Sequence, residues 1–292
     1  MKSRTTNLYS VEVTMKKNQN AIYMLKSVTN IQMESFVITT ADGKLFAIDG
    51  GFKEDADYFL EFLRELTGEA VPHIDVWFFS HAHSDHMSAF YEIVNNKRDS
   101  VTFDQVFCNI PSPQFFLRGG DKNAADTAEK FYEYLPLYAK EYSVVTEGDV
   151  YEFGDAKFEV LYTPDPAFLR DVGNNTTTVF KMTLGGKVSL FLGDCGIEAG
   201  DKMLAKYKGT DMLKADVCQM AHHGQNGATR EFYEAVMPEV CFWCAPNWLW
   251  NNDAGQGFNT HFWKTVEVRG WMEELGVKQN IVLKDGTQCY AW

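Results

Sequence analysis

The stretch Ser80-His81-Ala82-His83-Ser84-Asp85-His86-Met87 constrains this chain most, because three of its seven histidines and an aspartate fall within six consecutive positions. Neutral imidazole and carboxylate are the ligands that borderline divalent metals such as zinc prefer. The preceding run Val76-Trp77-Phe78-Phe79 is short and apolar and reads as a buried strand. Ligand-type side chains therefore sit on a loop at a strand end, where a rigid scaffold commonly presents chemistry. His81 and His83, two apart, point the same way while strand geometry lasts, and Asp85 and His86 follow the turn. One loop could thus serve two neighbouring metal positions. A metal-free polar loop is the plainer alternative, but the pattern arises by chance in roughly one chain in several thousand of this composition.

The remaining sequence narrows the class of protein. With 292 residues, 45% hydrophobic and 23% charged, the chain can bury a large core in one or two domains. A net charge of −13 without a dense Lys/Arg run opposes binding to a phosphate backbone. Nucleic acid is therefore not the expected partner, although a metal-dependent nuclease stays open. No eighteen-residue apolar stretch provides a membrane span, and the polar start Met1–Asn7 carries no visible export signal. The six dispersed cysteines then read as free buried thiols of a cytoplasmic protein. Cys241 and Cys244 have redox-motif spacing, but on a strand they face opposite sides.

No repeat, low-complexity tract or Pro/Ser linker divides the chain, so residues 1–292 read as a single domain. Strands are expected at Ala21–Leu25, Ser35–Thr39, Lys44–Ile48 and Val76–Phe79. Others follow at Lys157–Tyr162, Thr177–Thr183, Val188–Leu192, Asp216–Met220 and Val240–Trp243. Helices are expected at Glu54–Leu66, Met87–Val94, Ala124–Tyr134, Thr229–Val236 and Thr260–Leu275. A closing hairpin spans Ile281–Ala291, turned at Asp285-Gly286. Two packed sheets with helices outside satisfy this order.

Two further strand ends carry ligand-type residues. Leu190-Phe191-Leu192 runs into Gly193-Asp194, and Asp216–Ala221 runs into His222-His223-Gly224. Ile48-Asp49-Gly50-Gly51 ends another strand with a carboxylate able to orient a ligand histidine. Converging strand ends of this kind would build a site.

The series Asp49-Gly50-Gly51, His81-x-His83-x-Asp85-His86, Gly193-Asp194 and Ala221-His222-His223-Gly224 resembles the metallo-β-lactamase superfamily. The paired histidines and Asn174-Asn175-Thr176-Thr177 resemble its competence-protein-like branch, which includes phosphorylcholine esterase relatives. The resemblance implies an α+β fold, a four-layer αββα sandwich of two mixed β-sheets. It also implies one or two zinc ions, with manganese or iron as alternatives, and hydrolysis by metal-bound hydroxide. By that resemblance His81 and His83 hold the first metal, Asp85, His86 and His222 hold the second, and Asp194 bridges. Asp49 is then the supporting carboxylate, and His223 is free to donate to an oxyanion or leaving group.

One departure stands out: no histidine occurs between His86 and His222, where the family has another ligand. Thr163-Pro164-Asp165-Pro166 occupies that region, leaving Asp165 or Asn175 as substitutes. The expected activity is metal-dependent hydrolysis of an ester-like bond, with a phosphodiester or other small molecule as substrate. A non-catalytic metal-binding or regulatory protein and a nuclease are the competing readings. Trp248 and Trp250, beside Asn251-Asn252-Asp253, are candidates for a substrate loop, whereas Trp243 reads as core and His261 as surface.

Overall fold

A computed structural model describes residues 18–292; the polar start Met1–Asn7 lies outside them. Strands β1 (Ala21–Met24), β2 (Ser35–Thr39) and β3 (Leu45–Asp49) form an antiparallel meander. Helix α1 (Ala56–Thr67) then returns the chain to β4 (His73–Phe78), parallel to β3. Next come α2 (Ser84–Asn96), β5 (Thr102–Cys108), α3 (Pro113–Arg118), α4 (Lys122–Tyr134) and β6 (Tyr142–Val144). The second half contains β7 (Val150–Phe153), β8 (Ala156–Tyr162), the single turn α5 (Val172–Asn175), β9 (Val179–Leu184) and β10 (Lys187–Phe191). It continues through α6 (Ile197–Lys206), β11 (Val217–Gln219), α7 (Arg230–Val236) and β12 (Val240–Trp243). Helices α8 (Asn247–Trp250) and α9 (Thr265–Glu274) precede β13 (Gln279–Val282) and β14 (Gln288–Ala291).

Two mixed sheets result, ordered β14-β1-β2-β3-β4-β5-β6 and β13-β12-β11-β10-β9-β8-β7. In each, an antiparallel half joins a parallel half, as the expected αββα sandwich requires. Alternation along β4 shows why the layers form. Phe78 faces the other sheet, with its ring 4.5 Å from Phe158 and 4.9 Å from Phe180. Its neighbour Trp77 faces outward and packs on Phe59 of α1 at 4.9 Å and Phe90 of α2 at 5.0 Å. Phe36 and Phe46 add inter-sheet contacts to Phe191, Phe242 and Phe158. Large aromatics dominate such cores because each removes much apolar area from water.

Three sequence expectations change. The hairpin over Ile281–Ala291 does not form: β13 pairs with β12, β14 pairs with β1, and Asp285-Gly286 carries the chain from one sheet to the other. Alternation and a turn dipeptide are local signals, whereas strand partners are fixed by long-range packing. The last helix starts at Thr265 rather than Thr260, because Asn252 Nδ2 donates to Asn259 Oδ1 and to the His261 carbonyl and so holds a loop. Helix α2 starts at Ser84, which puts Asp85 and His86 in its first turn. The cysteines are all free, and Cys241 and Cys244 lie in different core clusters, on opposite faces of their sheet. Among the described residues no helix is long and apolar enough to cross a membrane.

Candidate metal centre

Parallel neighbours β3 and β4, and likewise β10 and β11, bring four carboxyl-terminal strand ends to one edge of the sandwich. Asp49, ending β3, adopts the left-handed conformation at φ 54°. Its Oδ1 accepts the Ser80 amide at 2.8 Å, and its Oδ2 accepts the Ser80 hydroxyl at 2.7 Å. The same Oδ2 lies 2.7 Å from His86 Nδ1. Gly193, before Asp194, has φ 52°, and a Cβ there would collide with Thr177 Oγ1. His222 and His223 both take positive φ, 52° and 55°, in the tight turn after β11. Two adjacent left-handed histidines are costly backbone, of the kind that persists where the surroundings impose it.

The ligand atoms converge in two groups that share Asp194: Asp85, His86, Asp194 and His223 form one, and His81, His83 and Asp194 the other. In the larger group His223 Nε2 stands 3.2 Å from Asp85 Oδ2 and 3.4 Å from Asp194 Oδ2. His86 Nε2 is 3.3 Å from Asp194 Oδ1. In the smaller, His81 Nε2 is 2.9 Å from His83 Nδ1 and 3.8 Å from Asp194 Oδ2. Ligands on one tetrahedral ion with bonds of about 2.1 Å stand ~3.4 Å apart, which these spacings bracket. His86 Nε2 and Asp194 Oδ1 are buried and face each other without a hydrogen bond, as ligand atoms would. The donor set therefore fits divalent ions.

The sequence profile described as the β-lactamase superfamily domain matches residues 47–241, which contain every one of these residues. The chain belongs to the β-lactamase superfamily. This superfamily member is 26% identical over 179 residues to ComE operon protein 3 of Bacillus subtilis, covering 60% of the chain. It spans only 20% of that relative's length. Its fold is similar to the metallo-β-lactamase fold protein YhfI of Bacillus subtilis, with a TM-score of 0.54 and 11% identity over 94% of this chain and 100% of that one. It is also similar to CmlA, a diiron β-hydroxylase from Streptomyces venezuelae, with a TM-score of 0.54 and 12% identity over 94% of this chain and 54% of that one.

Within this superfamily member, hydrogen bonds decide which histidine nitrogens are free. His86 Nδ1–H donates to Asp49, leaving Nε2 aimed at Asp194. The Ser80 hydroxyl donates to Asp49 and accepts His81 Nδ1–H at 3.0 Å, which leaves Nε2 as the His81 nitrogen that faces His83 and Asp194. His83 Nε2–H donates to Asp121 at 2.8 Å, which leaves Nδ1 as the His83 nitrogen that faces His81. Such partners fix tautomer and ring orientation.

Asp121 and Ser80 escaped the sequence reading. Asp121 also caps α4 by accepting the Ala124 amide, and that cap was the only signal visible in sequence. Glu34 was missed as well; it is fully buried near Asp49 and His86, with both oxygens unpartnered. Burial, reinforced by Asp49, holds its carboxyl well above the usual range.

Several expectations are placed elsewhere. The resemblance implies His222 as the last ligand of the second ion; in the structure His223 stands in the larger donor group, and His222 Nε2 is 3.9 Å from Asp194 Oδ2. Asn175 Oδ1 accepts the Ala199 amide of α6, and its Nδ2 donates to Glu198, so it does not reach the ligands. Asp165 pairs with Lys202. Trp250 packs between Trp243 and Arg269, while Trp248 Nε1–H donates to the Asn30 carbonyl. His261 stacks on Phe262 and Trp263.

Charge balance supports the same fit. Among the described residues no lysine or arginine pairs with Asp49, Asp85 or Asp194; their ionic partners are histidines. Burial opposes charge on His223, but Asp194 and Asp85 outweigh it and push its pKa up to about 10 in the metal-free protein. Burial likewise opposes charge on His86, where Asp194 and Asp49 again prevail and raise it. By contrast, burial lowers His81 well below its ordinary value and takes His222 down to about 4.

Proposed function

We propose that this protein is a metal-dependent hydrolase with a two-ion centre, acting on an ester-like bond, with a phosphodiester as first choice. One observation carries the reading: two buried donor groups meet at the shared carboxylate of Asp194. His81, His83 and Asp194 would hold one ion, and Asp85, His86, Asp194 and His223 the other. Zinc suits these ligands best, with manganese and iron as alternatives. When bound, such ions polarise a phosphoryl or carbonyl oxygen and lower the pKa of water to about 7.

The protein's own groups do the rest. Ser80, Asp49 and Asp121 hold the three motif histidines in their ligating tautomers. Asp85, whose side chain is 14% exposed against 2% for Asp194, is the more exposed of the two ligand carboxylates and the group placed to accept a proton. A net charge of −13 favours a small phosphodiester over a polynucleotide.

The test is hydrolysis by protein purified without chelators and reconstituted with zinc or manganese. Turnover of bis(4-nitrophenyl) phosphate, abolished by Asp194→Asn in a folded protein, is expected. A metal-loaded, folded protein inert toward phosphodiester, lactone, thioester and amide substrates would overturn the reading in favour of a non-catalytic metal protein.

A further inference from the structure

The smaller donor group has three ligands where the larger has four. The loop after β8, which would carry a further histidine, contributes none. Asp165 is tied to Lys202, and Asn175 caps α6. Gly173 lies so close to His83 Nε2 and Asp121 that a side chain there would collide with both. Asp171, in the same loop, is occupied by the Asn174 side-chain amide.

His222 is differently placed. Its Nε2 lies 3.9 Å from Asp194 Oδ2, nearly the 3.8 Å of the His81 Nε2 contact to that oxygen. The rings of His222 and His223 diverge, with centroids 6.1 Å apart and planes at 53°. His223 turns toward Asp85, its Nε2 standing 3.2 Å from Asp85 Oδ2. The His222 amide is anchored on the Gly193 carbonyl at 3.0 Å, which fixes the turn relative to Asp194. Consecutive left-handed residues thus bring two imidazoles to the same oxygen, Asp194 Oδ2.

We propose that His222 supplies the fourth ligand of the first ion, so that the adjacent histidines are divided between the two ions. This rests on the two-ion reading above. It explains the strained pair of positive φ angles, because an ordinary turn would deliver only one imidazole to the site.

The experiment is metal stoichiometry by plasma mass spectrometry after reconstitution with zinc, with cobalt absorption spectra reporting each coordination sphere. The wild type, His222→Asn, His222→Ala, His223→Asn and Asp171→Asn are compared. Asparagine tolerates positive φ, so His222→Asn should keep the turn, and circular dichroism checks the fold. Two equivalents in the wild type and in Asp171→Asn, falling to one in both His222 variants, is the expected result. The cobalt spectrum of the ion left in the His222 variants should differ from that left in His223→Asn. Two tightly held equivalents in the His222 variants would overturn the proposal, as would loss of the ion through Asp171→Asn instead. One equivalent in the wild type would overturn it while leaving a single-ion hydrolase. No metal in the wild type would sink the two-ion reading itself.

Discussion

At the residue scale, the candidate centre depends on groups outside the proposed ligand set. Asp121 orients His83 through one hydrogen bond and caps α4 through another. Asparagine is an equally good cap but a weaker partner for an imidazole N–H. Asp121→Asn should therefore leave the melting temperature almost unchanged and weaken one metal equivalent about 10- to 100-fold in chelator competition. Proton linkage gives a second prediction. His223 holds its proton to about pH 10 without metal, whereas a ligand nitrogen must be unprotonated. Metal binding at neutral pH should then release protons, and affinity should rise with pH until that region. Calorimetry in buffers of different ionisation enthalpy measures the release, and a buffer-independent heat would contradict it.

The residue scale is also where the sequence was most and least legible. His81, His83, Asp85 and His86 could be read together because they are neighbours in the chain. Asp121 meets His83 across 38 positions, and nothing in its surroundings marks that contact. Nor could the sequence separate His222 from His223, since their directions depend on two consecutive left-handed backbone conformations.

At the element scale, strand ends deliver the candidate ligands and helix starts lock them. The expectation of strands ending at Asp49, His81, Asp194 and His222 could be read from apolar runs closed by Gly, Asp or His. Strand pairing could not, as the misassigned final hairpin shows. Asn175 is instructive here, because sequence offered it as a substitute ligand and the fold uses it at α6. The Ala199 amide takes its Oδ1, so Asn175→Ala should cost about 0.5–2 kcal/mol in chemical denaturation. Metal content should stay unchanged; a lost equivalent would restore Asn175 as a ligand. Gly193→Ala is predicted to do more damage, since it adds a collision with Thr177 to an unfavourable φ of 52°. Lowered stability and weakened metal retention together are expected, read by thermal melts and metal analysis.

At the scale of the whole molecule, the centre ties the two sheets together. Asp49 and the His81–His86 segment come from one sheet; Asp194, His222 and His223 come from the other. Bound ions would act as cross-links between layers otherwise held by the Phe36, Phe46 and Phe78 contacts. Removing metal should lower thermal stability, by ~4 kcal/mol at a thousandfold excess of free metal over its Kd, without abolishing the fold. Calorimetry with and without chelator tests this, and an unchanged melting profile would place the ions outside the structure's stability.

The pairing of β14 with β1 has a consequence for synthesis. Every proposed ligand has been made by residue 223, yet the outer neighbour of Ala21–Met24 arrives only with residues 288–291. A nascent chain therefore carries a complete set of ligands beside a sheet whose flank is still bare. During that interval the exposed row of backbone donors and acceptors is open to mispairing with other chains.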